Sequence, residues 1–205
     1  MIFIGICGAS GSGKSTLADS LAAALGDHAL VLQQDCYYKD HSHLPFEERC
    51  RLNYDEPGIF DHDALLQDVT DLMNGKSVTR KGYDYANHRR ADTEELIAPP
   101  DVLILEGIHC FHDERLLKLM YLKLYMNVDA DICLLRRIER DIIERGRSID
   151  SISDQYRSTV RPMFEKYIRN YVNLADVIVA RGGKNAKIVE ILAGYMHDAL
   201  TEEAE

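Results

Sequence analysis

Residues 8 to 15 read Gly8-Ala9-Ser10-Gly11-Ser12-Gly13-Lys14-Ser15, directly behind the apolar run Ile2-Phe3-Ile4-Gly5-Ile6. A short continuous apolar run is what a strand buried on both faces of a parallel sheet requires. After the loop, Leu17, Leu21 and Leu25 recur at four-residue spacing until Gly26 offers a stop, which predicts a helix over 14–25. A strand, a Gly-x-x-x-x-Gly-Lys-Ser loop and a helix together form the phosphate-binding pattern. Its glycines let backbone N–H groups turn around phosphate oxygens, and the helix points its positive end at them. Lys14 can then reach the β and γ phosphates, and the Ser15 hydroxyl is placed to ligate Mg²⁺. Thr16 completes the set.

Working outward, strands and helices alternate. Ala29-Leu30-Val31-Leu32, Val102 to Leu105, Leu122 to Val128 and Val177-Ile178-Val179 read as four more strands. Asp61 caps a helix carrying Leu65, Leu66, Val69, Leu72 and Met73 on one face, ending at Asn74-Gly75. Further helical patterns cover 131–144, 151–171 (interrupted by Pro162) and 185–200. Ser77 to Tyr85, with Lys81-Gly82 at its centre, suggests a small β-hairpin insertion over about 76–90. Thr201 to Glu205 reads as a frayed acidic tail. This order predicts an α/β fold: one doubly wound, parallel, five-stranded sheet forming a single domain over 1–205.

The chain has 205 residues, 46% hydrophobic and 28% charged, enough for one core. Its net charge of -10 gives no general attraction to nucleic acid, so bound phosphate needs a local cationic site. No apolar run has membrane-spanning length, and the first strand leads straight into the loop, unlike a signal peptide. Cys7, Cys36, Cys50, Cys110 and Cys133 are scattered without a Cys-x-x-Cys pair, which implies free thiols in a reducing cytoplasm. His109, Cys110 and His112 resemble metal ligands only superficially; no second pair has zinc spacing.

In a doubly wound sheet, ligands sit beyond the carboxyl ends of the strands. Asp35 follows the second strand there, and Glu106 the third. A carboxylate at Asp35 can orient a hydroxyl and accept its proton, as phosphoryl transfer requires. Alone it would pass for a turn cap; the phosphate loop favours the catalytic role. Glu106, a single carboxylate before Gly107, suits a Mg²⁺ partner. No Asn-Lys-x-Asp guanine reader is present. Arg136, Arg137, Arg140, Arg145 and Arg147 concentrate five guanidiniums in an acidic chain. Glu139, Asp141 and Glu144 could neutralise them on an ordinary solvated helix. Arg145-Gly146-Arg147, turning out of the helix, instead suits a helical lid over about 136–150 that closes on transferring phosphate.

These blocks, with Asn53-Tyr54-Asp55-Glu56-Pro57, Tyr83-Asp84-Tyr85-x-x-His88, Gln155-Tyr156, Val160-Arg161-Pro162-Met163 and Arg181-Gly182-Gly183-Lys184-Asn185, resemble the uridine kinase (uridine-cytidine kinase) family of P-loop kinases. The resemblance runs in order from the first strand to about residue 190. It implies ATP (or GTP) as phosphate donor, Mg²⁺, and a pyrimidine nucleoside as acceptor. By position, Asp35 would be the base for the ribose 5′-hydroxyl and Asp55 would hold the ribose hydroxyls. Tyr83, Tyr85 and His88 would frame the base, although the tyrosines could equally be hairpin packing. Arg137, Arg147 and Gln155 would contact the nucleoside, Arg140 and Arg145 the phosphates, and the Arg181 to Lys184 turn the adenine. The family also implies a cytoplasmic homo-oligomer, often a tetramer. The chain departs from the family pattern at Ile132-Cys133-Leu134 and Arg169 to Asn173. A kinase of a phosphorylated sugar remains the nearest alternative, and a nucleotide-responsive regulatory module the one from another class.

Overall fold

The computed structural model describes residues 1–202. In chain order it runs β1 (Ile2–Gly8), α1 (Lys14–Leu25), β2 (Ala29–Gln33), α2 (Phe46–Arg49), α3 (His62–Met73), β3 (Val78–Asp84), β4 (Arg89–Ile97), β5 (Val102–Glu106), α4 (Glu114–Leu119), β6 (Leu122–Asn127), α5 (Ala130–Ile143), α6 (Ile149–Gln155), α7 (Arg161–Lys166), β7 (Val177–Ala180) and α8 (Ala186–Glu202). The main sheet has the order β2-β5-β1-β6-β7 and is parallel throughout, with Ile4 beside both Ile104 and Leu122.

Strand alternation sorts β1 between two cores. Ile2, Ile4 and Ile6 pack with Leu17, Leu21 and Leu25 of α1 and with Leu192 and Met196 of α8. Phe3 and Cys7 face Leu65, Val69 and Leu72 of α3 and Leu116 of α4. Asp61 accepts from the Ala64 N–H at 3.0 Å, capping α3 as its sequence predicts. Because both faces of the sheet are covered, the carboxyl ends of β1, β2 and β5 remain as the open edge, and the phosphate loop leaves β1 there.

Three expectations shift. The hairpin turns at residues 85–88, not at Lys81-Gly82, and its second strand continues to Ile97. Lys81-Gly82 instead lies at an irregularity within β3, between the registers of Lys81 and Tyr83. The turn is closed by Asp84 Oδ1, which accepts from the Ala86 and Asn87 N–H groups at 3.1 Å, and His88 takes a left-handed φ of 48°. The helix expected over 151–171 is broken: a π-turn at Tyr156–Val160 joins α6 to α7, and Ile168–Leu174 is 3₁₀. Pro162 sits in the first turn of α7, where its missing N–H costs least. Helix α8 carries on through Thr201, into the stretch expected to fray; residues 203–205 of that tail lie outside the described residues. Among the described residues no helix is long and apolar enough to cross a membrane.

Candidate active site

The loop after β1 is held by backbone conformations and close approaches that need glycine. Gly11 has a φ of 82° and Gly13 one of 93°. A Cβ on Gly11 would collide with the Cys133 carbonyl, and one on Gly13 would meet the Gly183 nitrogen at 2.7 Å. The loop is therefore clamped between α5 and the Arg181–Gly183 turn. Lys14, nearly buried, donates from Nζ to the Ala9 carbonyl at 3.0 Å. The Ser15 hydroxyl donates to Glu106 Oε1 at 3.1 Å. Burial pushes the Glu106 carboxyl above its ordinary value, against the opposing charge of Lys14.

A single cavity of about 1200 Å³ joins this loop to the hairpin and the arginine helix. Ser10, Gly11, Gly13, Lys14, Ser15 and Thr16 line one end; Asp35 and Glu106 lie between; Asp55, Tyr83, Tyr85, His88 and Gln155 line the other. Arg137, Arg140, Arg145 and Arg147 line a further side. Gly8, Ala9, Ser12 and Lys184 do not face it: Ser12 is fully buried, and Lys184 is exposed.

Asp35 sits in the 3₁₀ turn Gln34–Tyr37 that ends β2. The Tyr85 hydroxyl donates to its Oδ2 at 2.8 Å, and the Arg145 guanidinium lies 4.2 Å over the Tyr85 ring. The hairpin turn and the arginine segment after α5 thus meet over this carboxylate. At the far end, Tyr38 stacks on Phe60 at 4.5 Å and touches Tyr83 at 4.7 Å, while His88 stacks on Tyr54 at 4.8 Å. Burial, then Arg147 and Arg49, holds His88 below its ordinary value, so its imidazole is neutral at pH 7. Asp55 is buried; the Thr159 hydroxyl donates to its Oδ2 at 2.8 Å. Desolvation raises the Asp55 carboxyl, with Arg137 and the Thr159 bond opposing.

The arginines converge on Asp141, which is fully buried. Its carboxylate lies 2.8 Å from Arg140, 3.4 Å from Arg147, 3.5 Å from Arg145 and 3.6 Å from Arg137. Burial alone would raise the Asp141 carboxyl, but these guanidiniums outweigh it and hold it low. Arg137, itself buried, donates to the Ser10 hydroxyl at 2.7 Å and to Gln155 Oε1 at 2.8 Å. It ties the phosphate loop to α6, and Gln155 also accepts from Arg147.

A family model described as phosphoribulokinase / uridine kinase matches residues 3–187. The chain belongs to this family. The uridine kinase of Bacillus subtilis is 45% identical over 204 residues, 99% of this chain and 97% of that protein. The uridine kinase of Vibrio vulnificus is 45% identical over 200 residues, 95% and 94% of the two chains. Among solved structures, a putative fructose transport system kinase from Silicibacter superposes with a TM-score of 0.66 at 22% identity, covering 87% of this chain and 89% of that one. Phosphoribulokinase from Rhodobacter spheroides gives 0.65 at 13%, covering 87% and 69%. At those identities the structures show the shared P-loop kinase fold alone.

In this uridine kinase family member, two residues of the site and one behind it carry little local sequence signal. Asp141 looks like one more acid on a charged helix. Thr159 stands one turn beyond Gln155, whose carbonyl its hydroxyl meets at 3.1 Å, and it reaches Asp55 only through the tertiary fold. His109, in the loop after β5, has both ring nitrogens engaged, by Asp55 and by Tyr171. A histidine two residues beyond a strand-end Glu-Gly pair was the available cue.

Proposed function

We propose that this chain transfers the γ-phosphoryl group of ATP to the 5′-hydroxyl of uridine and cytidine, producing UMP and CMP. The observation that carries this is the single cavity whose phosphate-loop end and aromatic end are separated by Asp35. The close relatives named uridine kinase support the same acceptor.

In this reading the backbone N–H groups of the loop and Lys14 bind the donor phosphates, and Arg140 and Arg145 balance charge that develops on the transferred group. Asp35 accepts the proton of the 5′-hydroxyl. The Tyr85 hydroxyl, donating to its Oδ2, orients the carboxylate for that step. Asp55 holds the ribose hydroxyls, and Arg137, Arg147 and Gln155 orient the nucleoside. The aromatic wall that Tyr83 and His88 give the acceptor end suits a flat, uncharged ring. The Arg181 to Lys184 turn, packed on the phosphate loop through Gly183, lies beside the donor end, where the resemblance sets it against adenine. Ser15 and Glu106 are paired hard-oxygen donors, a set that fits Mg²⁺, which would neutralise the β and γ phosphates. The resemblance extends the proposal to a cytoplasmic homo-tetramer, checked by analytical ultracentrifugation.

An ATP-coupled assay across uridine, cytidine, adenosine and ribulose 5-phosphate tests the assignment. Turnover of the two pyrimidine nucleosides is expected. Turnover of ribulose 5-phosphate in their place, or of none of the four, would overturn it.

A further inference from the structure

Behind the acceptor end runs a buried polar chain whose direction is fixed by its partners. His109 Nε2 lies 2.7 Å from the Asp55 carbonyl oxygen. A carbonyl only accepts, so Nε2 carries the proton. Burial pushes the His109 imidazole down to about 3, keeping it neutral, and Nδ1 is then a bare acceptor. The Tyr171 hydroxyl, 3.1 Å from Nδ1, must donate to it. With its one proton spent, that hydroxyl accepts from His112 Nδ1 at 3.1 Å. Every bond from His112 to Asp55 therefore points one way.

The main chain of His109 reaches the other carboxylate. Its N–H donates at 2.9 Å to Gln34 Oε1, and Gln34 directly precedes Asp35. A Cβ at Gly107 would collide with the Gln34 side chain, so the exit from β5 is shaped to seat it. His109 itself does not line the cavity. Its influence can only pass through the residues it holds.

We propose that His109 is a positioning residue for the acceptor, its imidazole fixing the segment of Asp55 and its amide fixing the turn of Asp35. The spacing of the ribose-holding carboxylate from the base is then set at one buried residue. This rests on the reading above, in which Asp55 meets the ribose and Asp35 its 5′-hydroxyl.

The test compares His109→Leu and His109→Gln with wild type, measuring kcat and KM for uridine and for ATP, alongside ¹⁵N NMR of the histidines. Leucine fills the volume without the donor. The glutamine amide nitrogen can stand where Nε2 stands and donate to Asp55. Losing a buried donor to a site segment should raise the uridine KM about tenfold, or about 1.4 kcal/mol, while the ATP KM stays within about twofold. His109→Gln should recover most of the uridine KM. The wild-type spectrum should show His109 protonated on Nε2 and bare on Nδ1. An unchanged uridine KM in His109→Leu, or uridine and ATP constants worsening together in both variants, overturns the proposal. Should wild type turn over neither pyrimidine nucleoside, the functional reading fails first. The His109 tautomer then decides the network alone, and a proton on Nδ1 rejects it.

Discussion

Asp141→Asn removes one charge and almost no volume from the centre of four guanidiniums. The side chains of Arg140, Arg145 and Arg147 are 30%, 25% and 26% exposed, so they can turn to water when the carboxylate is neutralised. Arg137, at 7%, cannot. Stripping the partner from a buried cation costs about 3–5 kcal/mol. Arg137 keeps its bonds to Ser10 and Gln155 and the attraction of Asp55, which places the loss at the lower end, about 3 kcal/mol. For a chain of this size that is a fall in melting temperature of about 6–12 °C. A bound triphosphate offers Arg140 and Arg145 the negative charge that the asparagine lacks. Saturating MgATP should therefore raise the melting temperature more in the variant than in wild type. Thermal unfolding with and without MgATP, checked against urea midpoints, measures both. A fall under about 1 °C, or equal nucleotide shifts in the two proteins, would refute Asp141 as the counter-charge of the lid.

Asp35→Asn should lower turnover by about two to four orders of magnitude with ATP affinity by calorimetry unchanged; near-normal turnover removes Asp35 from the mechanism. Gly11→Ala forces a left-handed φ of 82° on a residue with a Cβ and drives that Cβ at the Cys133 carbonyl. It should weaken ATP binding at least about tenfold in a direct titration, since the left-handed penalty alone is about 1–2 kcal/mol. His109 is pushed down from 6.5 to about 3 by burial, so the folded state binds fewer protons than the unfolded one in that window. Its contribution is complete above pH 6.5 and is lost as pH falls towards about 3, worth at most about 5 kcal/mol. Urea midpoints of wild type and His109→Gln across this range should diverge in slope; parallel profiles would contradict a neutral buried imidazole.

The donor half was legible because its signals are local. Eight consecutive residues, a preceding apolar run and a following four-residue period determine β1, the loop and α1 together. The strand ends that carry Asp35 and Glu106 follow from the parallel order. The acceptor half is assembled from contacts that no window contains. Thr159 meets Asp55 across 104 positions, and Arg137 meets Ser10 across 127. The hairpin misleads for a different reason: Lys81-Gly82 has turn composition, but the glycine serves an irregularity in β3, while Asp84 supplies the side chain that closes the turn. Lys184 fits its motif, yet the turn it ends is packed against the phosphate loop through Gly183, and Lys184 itself is exposed and does not line the cavity.

The same force acts on the buried carboxylates of the site with opposite results, and the counter-charges explain why. Desolvation raises Glu106 and Asp55, but it loses at Asp141. Asp141 faces four guanidiniums within 3.6 Å. Asp55 is opposed chiefly by Arg137, which it shares with Asp141. Glu106 is opposed by the charge of Lys14 and the Ser15 hydroxyl, and Asp35 adds repulsion. A carboxylate surrounded by arginines needs nothing further, whereas one that burial raises gains most from an added cation. On the proposed function, an added divalent ion would therefore relieve Glu106, with the Ser15 hydroxyl 3.1 Å away, while Asp141 is already balanced by its arginines.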